Sequence, residues 1–336
     1  MNYSHYQDRI FDWVISGSGS GEVIAPAGSG KTFTGVQSVR FMNNNRLVPA
    51  NIVYLAFNKH IQVELQSKLP TFATARTYHS FGLAAINNRS LKVSEYKNHD
   101  LLKGHLGRDK EFLFPLISRI VGLFKGNLLS VVNHQTVNEI VDRYGIEVDE
   151  DQEQQFDDIV EGVAYCLNPE HVERLGKIDF SDMIWYPLVR NMPIPKVDFL
   201  LVDEYQDSDV AQAEMVMRAS NGHGGRVMAI GDPNQAIYFW RGAGSDSMEL
   251  FANRMNATLL PLSISYRSPM AVVRMVNEKY PYIPFEAWDG AIEGSVNEIK
   301  EFQMLNQVTP GDMVLCRLNA PLVQPAMRLL KEGKKS

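Results

Sequence analysis

Short apolar runs rich in β-branched residues alternate along the chain with segments of helical period. Glu22–Ala25, Asn51–Phe57, Val197–Asp203, Arg226–Gly231 and Thr258–Ser263 each end in a turn or glycine signal and read as buried strands. Lys59–Leu69 and Thr77–Asn87 carry apolar residues at helical spacing between them. Such strand–helix alternation predicts a parallel α/β sheet. From about Asn88 to Lys177 no clear strand is visible. The run from Glu111 through Phe124 has helical spacing, which predicts an inserted helical subdomain. After Pro261 the alternation resumes, with Met313–Arg317 expected as a strand and Pro321–Lys331 as a helix. The expected organisation is one lobe from 1–87 and 178–260, a helical insertion over 88–177, and an incomplete second lobe over 261–336.

Composition narrows the class. The 336 residues are 45% hydrophobic and 21% charged, ordinary usage for a globular protein of two or three units. No apolar run approaches the roughly 20 residues of a membrane span, and the opening MNYSHYQDRIFDW lacks the basic-then-apolar pattern of a secretory signal. An intracellular, cytoplasmic location is therefore expected, in a host cytoplasm if the gene is carried by a phage. Cys166 and Cys316 are too few for a disulfide framework or a zinc cluster. The formal charge of −6 excludes a basic protein that coats nucleic acid, but leaves room for a locally positive groove. Ile146 to Tyr165 holds eight acids and no base, which reads as a solvated face.

Candidate chemistry begins at Glu22-Val-Ile-Ala-Pro-Ala-Gly-Ser-Gly-Lys-Thr, a strand, a glycine-rich turn and a helix start. In such a turn the backbone N–H groups of Ala25, Pro26, Ala27, Gly28, Ser29 and Gly30 (Pro26 excepted) crowd around phosphate oxygens, aided by the helix N-terminus. Lys31 is placed to reach the β- and γ-phosphates and Thr32 to ligate Mg²⁺. The first motif position is Ala25 instead of glycine. Phosphoryl transfer also needs an acid at the end of a buried strand. Val197-Asp-Phe-Leu-Leu-Val-Asp-Glu supplies Asp203 for the metal and Glu204 to polarise the attacking water. A third strand runs into Asp232-Pro-Asn-Gln-Ala-Ile-Tyr-Phe-Trp-Arg, where Gln235 suits a γ-phosphate sensor. Tyr238, Phe239 and Trp240 in that polar loop must pack or stack, and stacking on bases contributes about 1–3 kcal/mol per base. The chain has no guanine-reading Asn-Lys-x-Asp pattern, which disfavours a GTPase.

In this order, these elements resemble a superfamily 1 DNA helicase of the UvrD/Rep type. The resemblance rests on Gln7, Ala25–Thr32, Leu55–Leu65, Thr74–Gly82, Val202–Asp207, Gly231–Ala243 and Leu262-Ser-Ile-Ser-Tyr-Arg-Ser. Ala56-Phe-Asn-Lys and Thr77-Tyr-His-Ser-Phe are most similar to the phage-type and F-box helicase branches. The resemblance implies a RecA-like P-loop fold, ATP and Mg²⁺ as cofactors, and single-stranded or partly duplex DNA as partner, with translocation or unwinding from 3′ to 5′. It implies that Gln7 bonds the adenine edge, that Tyr266 stacks on the base, and that Arg267 reaches the γ-phosphate. Phe33 stands where the family usually has an adenine-stacking arginine. Phe57, Asn58, His79 and Trp240 are expected along the single strand, with Tyr238 and Arg241 of the same loop. The two later motor motifs of the family are not found, so a C-terminal motor half or a protein loader is an expected partner. The alternative expectation is a nucleotide-responsive DNA-binding module, or a split motor subunit without turnover of its own.

Overall fold

The computed structural model describes residues 3–45, 49–86, 90–220, 224–242, 244, 246–331 and 333; the side chains of Arg241 and Glu301 lie outside that description, as do Asn87, Asn88 and Ala243. Among the described residues, one sheet holds six strands: β1 (Gly21–Ile24), β2 (Ile52–Ala56), β3 (Ala73–Thr77), β6 (Phe199–Val202), β7 (Arg226–Gly231) and β8 (Thr258–Pro261). The short pair β4 (Lys92–Val93) and β5 (Lys177–Ile178) lies apart from it, as does the pair β9 (Ile264–Ser265) and β10 (Glu286–Ala287). The sheet order is β3-β2-β6-β7-β1-β8 and every pairing is parallel. Crossover helices cover both faces, so β2 and β6 are buried and apolar at every position and do not alternate, whereas β3 carries polar residues and β8 is partly exposed.

Alternate residues of β2, β6 and β7 enter two separate cores. Tyr54, Leu201, Met228 and Ile230 face α1 (His5–Ser16), α2 (Lys31–Asn44) and α3 (Lys59–Lys68). Leu55, Leu200, Val202 and Ala229 face α4 (Tyr78–Ala85), with α11 (Asp182–Val189), α12 (Val210–Ser220) and α13 (Ser247–Met255) on the same side.

The insertion builds a third core around Leu102, Ile117, Ile120, Phe124, Val137 and Val163. Its helices are α5 (Lys97–His105), α6 (Phe114–Gly126), α7 (His134–Arg143), α8 (Glu150–Glu153), α9 (Phe156–Leu167) and α10 (Pro169–Leu175). The helical run expected from Glu111 starts later, because residues 108–113 form a 3-10 turn and Pro115 fits only the first turn of α6. The acidic run Asp149–Asp158 falls on α8 and the start of α9, where Asp149 caps α8.

Two compact units emerge: residues 1–268 with 284–289, and residues 269–283 with 290–336. The second contains α14 (Met270–Lys279), α15 (Glu301–Gln307) and α16 (Ala320–Lys331). The strand expected over Met313–Arg317 is not formed. Its residues are irregular, and Met313 and Leu315 are each 80% exposed, since no neighbouring strand pairs with their backbone. Conversely β3, Ala-Thr-Ala-Arg-Thr, was not expected as a strand. It is held by five paired positions along β2 in spite of its small, polar side chains.

Candidate nucleotide and nucleic-acid site

The candidate loops after β1, β2, β3, β6 and β7 leave the C-terminal ends of the central strands, where open parallel sheets bind their ligands, while Gln7 lies on α1 and Tyr266 and Arg267 follow β9. After β1, the glycine-rich turn needs left-handed backbone at Gly28 (φ 75°) and Gly30 (φ 84°). Gly30 precedes α2 with no side-chain cap, so the first N–H groups of that helix are directed at whatever anion occupies the turn. The Ser29 hydroxyl is buried without a hydrogen-bond partner.

β1 and β6 are separated in the sheet only by β7, which brings their loops together. Lys31 Nζ lies 3.1 Å from Glu204 Oε2, and the Thr32 hydroxyl donates to Asp203 Oδ2 at 3.2 Å. Burial, then the neighbouring Glu204 charge, pushes the Asp203 carboxyl up to about 6 in spite of Lys31 and Thr32. Two carboxylates crowded at the end of a buried strand create a demand for positive charge. Glu204 adopts left-handed backbone (φ 50°), an uncommon conformation for a residue with a side chain, which turns its carboxylate toward the phosphate turn.

The donor set fits a magnesium nucleotide: a hydroxyl and a carboxylate oxygen converge beside a lysine and an uncapped helix start. Among the described residues there is no group of three His, Cys, Asp or Glu that could hold a metal alone. Phosphate oxygens and water would have to complete the octahedron, as is usual for Mg²⁺.

Gln206 was not singled out by sequence reasoning. Its amide donates to Glu204 Oε2 at 2.9 Å, and its carbonyl accepts from Asp232 N–H at 3.0 Å. It thereby bridges the β6 and β7 loops. The signal was present in Val202-Asp-Glu-Tyr-Gln-Asp, but nothing in sequence says which loop a buried amide will cross to. Gln235 donates to Asp232 Oδ2 and lines the same cleft of about 470 Å³ as Gly28, Lys31, Thr32, Phe33, Glu204, Tyr266 and Arg267.

The base-side residues also gather. Gln7 is buried; its amide donates to Thr34 Oγ1 at 3.2 Å, and its carbonyl accepts from Ser4 N–H at 3.1 Å and from the Tyr266 hydroxyl at 3.5 Å. Tyr266 is exposed and its ring lies 6.2 Å from that of Trp288; Phe33 is exposed as well.

A second groove, of about 590 Å³, opens between the sheet and the insertion. Phe57, Asn58, His79, Tyr238 and Trp240 all line it. Phe57 stacks on Tyr238 at 5.1 Å, Tyr238 lies 6.4 Å from Trp240, and His79 meets the edge of Phe180 at 5.8 Å. Trp240 is 54% exposed and Phe239 43%, Phe239 lying against Tyr144 of the insertion. Burial lowers the His79 pKa, which favours the neutral ring. Asn58 has a local task too, accepting from Ile61 N–H to cap α3. Phe180, Trp185 and Arg119 line this groove without having been anticipated.

A parallel sheet with a phosphate turn after β1 and a metal-type carboxylate after β6 defines a RecA-like P-loop nucleotide-binding protein. Residues 12–256 match the model of the UvrD/REP helicase N-terminal domain, and the chain belongs to this family. It is 25% identical over 285 residues to the ATP-dependent DNA helicase Rep of Buchnera aphidicola subsp. Acyrthosiphon pisum, covering 76% of this chain and 42% of that protein. It is 24% identical over 289 residues to DNA helicase II of Haemophilus influenzae, covering 81% and 40%. A stretch of 123 residues is 33% identical to Escherichia coli Rep, covering 34% of this chain and 18% of that one. The chain thus spans about four-tenths of the length of the relatives it matches over most of its own length.

Proposed function

We propose that this chain provides the ATP-binding lobe, helical insertion and opening of the second lobe of an ATP- and Mg²⁺-dependent DNA helicase that translocates 3′ to 5′ on single-stranded DNA. The observation carrying it is the convergence of Lys31 and Thr32 with Glu204 and Asp203, one cleft away from an aromatic groove. In this proposal residues 1–87 with 178–260 are the lobe, 88–177 the insertion and 261–336 the start of the second lobe.

Lys31 neutralises the β- and γ-phosphates. Thr32 and Asp203 would hold Mg²⁺, which when bound offsets charge on the phosphate oxygens. Because Lys31 pairs with Glu204, phosphates that draw Lys31 away also release the Glu204 carboxylate. Glu204 then takes a proton from the water whose oxygen attacks the γ-phosphorus, and the bond to the β-γ bridging oxygen breaks. Gln235 and Arg267 contact the γ-phosphate; Gln7, Phe33 and Tyr266 hold the base; residues 25–30 wrap the phosphates. Phe57, Asn58, His79, Tyr238, Trp240 and Arg241 follow the single strand by stacking and polar contact. No helix among the described residues is long and apolar enough to cross a membrane, which is compatible with action in the cytoplasm on DNA. The exposed Met313, Leu315 and Leu318 suit a surface completed by further motor polypeptide, a continuation or a partner.

ATP hydrolysis by this chain, with and without oligo(dT), tests the proposal. Turnover raised by the oligonucleotide and abolished in Lys31→Ala supports it. ATP binding without turnover favours the nucleotide-responsive module, and turnover indifferent to DNA removes the motor reading.

A further inference from the structure

The segment carrying Tyr266 and Arg267 is fastened to the phosphate turn. Ser265 is fully buried, and its hydroxyl donates to the Ala27 carbonyl at 2.9 Å. The same oxygen accepts from Ser268 N–H at 3.2 Å and lies 3.1 Å from the Ser268 hydroxyl. One residue on, Tyr266 N–H donates to the Gly28 carbonyl at 2.9 Å, while Trp288 N–H donates to the Ser265 carbonyl at 3.2 Å. The fit is close. A Cβ at Gly28 would stand 2.7 Å from Ser265 Oγ and 2.6 Å from Arg267 Cβ. Gly28 therefore serves two needs, a left-handed turn and contact with this segment.

By contrast Tyr266 and Arg267 are exposed, and Arg267 makes no ion pair among the described residues. A long guanidinium on an untethered turn would sample many positions. Holding its backbone still removes much of that freedom before any ligand arrives. A serine hydroxyl suits the task because one oxygen can both donate and accept. Alanine would leave the Ala27 carbonyl and the Ser268 N–H without this partner.

We propose that Ser265 is a positioning residue that locks the Arg267-bearing turn to the phosphate loop and so sets the preference of the site for a nucleoside triphosphate over a diphosphate. The inference rests on the proposed placement of Arg267 at the γ-phosphate and adds the residue that enforces it. The ligand class is a magnesium nucleoside triphosphate, distinguished from the diphosphate by the one group Arg267 can reach.

Fluorescence titration of the full chain with β,γ-imido-ATP and with ADP, each as the methylanthraniloyl derivative with Mg²⁺, tests this without requiring turnover. Wild type is expected to prefer the triphosphate by about tenfold or more, the scale of one charge-assisted contact. Ser265→Ala should lose about three- to tenfold of triphosphate affinity and keep its ADP affinity within about twofold. In an Arg267→Ala background the same change should cost nothing further, since its effect passes through Arg267. Equal weakening of both nucleotides, or losses that add in the double variant, would show a merely structural role and overturn the proposal. So would an unchanged preference. If Ser265→Ala does not fold, Ser268→Ala loosens the same turn and should lose about two- to threefold for the triphosphate alone; wild-type behaviour there refutes the clasp. Wild type that binds neither nucleotide, or Lys31→Ala that binds like wild type, refutes the nucleotide site itself and is told apart by that result.

Discussion

Replacing Lys125 by methionine should cost about 3–5 kcal/mol of stability, the usual result of stripping one partner from a buried ion cluster. Lys125 of α6 lies 2.7 Å from Asp182 Oδ1 and 2.9 Å from Asp179 Oδ2, and donates to the Ser181 hydroxyl at 3.1 Å. Lys97 of α5 lies 3.2 Å from Asp182 Oδ2 and donates to the Cys166 carbonyl at 3.3 Å. Both lysines belong to the insertion, and both carboxylates sit at the entry to α11 beneath the sheet. Lys97, Lys125 and Asp182 are essentially inaccessible, so two positive and two negative charges cancel inside the protein. Burial works against each charge. For Lys125 the two aspartates outweigh it and raise its pKa, and for Asp179 the two lysines outweigh it and hold it well below the carboxylate range. Lys97 is pulled down, by burial first and by Lys125 next.

Lys125→Met keeps the volume but leaves two carboxylates to Lys97 alone. Urea unfolding followed by circular dichroism measures the loss as a shift in midpoint at constant slope. Adding Asp182→Asn restores neutrality, so the double variant should be less damaged than the sum of the singles by about 1–3 kcal/mol. The depressed Asp179 stabilises the fold above its unfolded pKa of about 4, and that stability is lost as pH falls below this. Wild type should therefore weaken from pH 5 to pH 3 more steeply than Lys125→Met. Because Phe180 is held between Asp179 and Ser181, single-strand affinity should fall together with stability. A loss below about 1 kcal/mol for Lys125→Met, or additive singles, would refute this account of how the insertion is joined to the lobe.

Trp240→Ala should weaken oligo(dT) binding by about 1–3 kcal/mol, the worth of one stacked base. Among the described groove residues Lys125 is neutralised and Arg119 shares the lining with Asp207 and Asp209, so log affinity against log salt should be shallow, about −1; a slope beyond about −3 would refute stacking as the main grip. Burial pushes Asp209 up to about 7, although it accepts from Gln212 N–H at 2.8 Å. The raised carboxyl favours the fold most below pH 4 and loses that contribution as pH climbs through 7, so Asp209→Asn should gain about 1–2 kcal/mol at pH 8 and nothing at pH 4 in thermal unfolding.

The central strands were legible because they are buried on both faces and so read as unbroken apolar runs: β2, β6 and β7 fall within the expected spans, as does the partly exposed β8, and β1 starts one residue before its own. The convergence of Lys31 and Thr32 with Asp203 and Glu204 was legible because each follows a strand in fixed order, and parallel pairing carries sequence order into proximity. β3 escaped because its stability comes from ladder bonds along β2, not from its own side chains. Met313–Arg317 misled for the opposite reason, having strand composition but no partner backbone. Gln206, Ser265 and the Lys97–Lys125–Asp179–Asp182 cluster stayed hidden because each depends on contacts between segments far apart in sequence. Single polar residues carry no periodic signal that would announce such contacts.

The most direct measurement is equilibrium binding of ATP to the full chain, with and without Mg²⁺, for wild type, Lys31→Ala and Asp203→Asn. Binding should need Mg²⁺ in wild type, collapse by about 100-fold or more in Lys31→Ala, and lose its Mg²⁺ dependence in Asp203→Asn. Equal ATP affinity in all three proteins would contradict the proposed site.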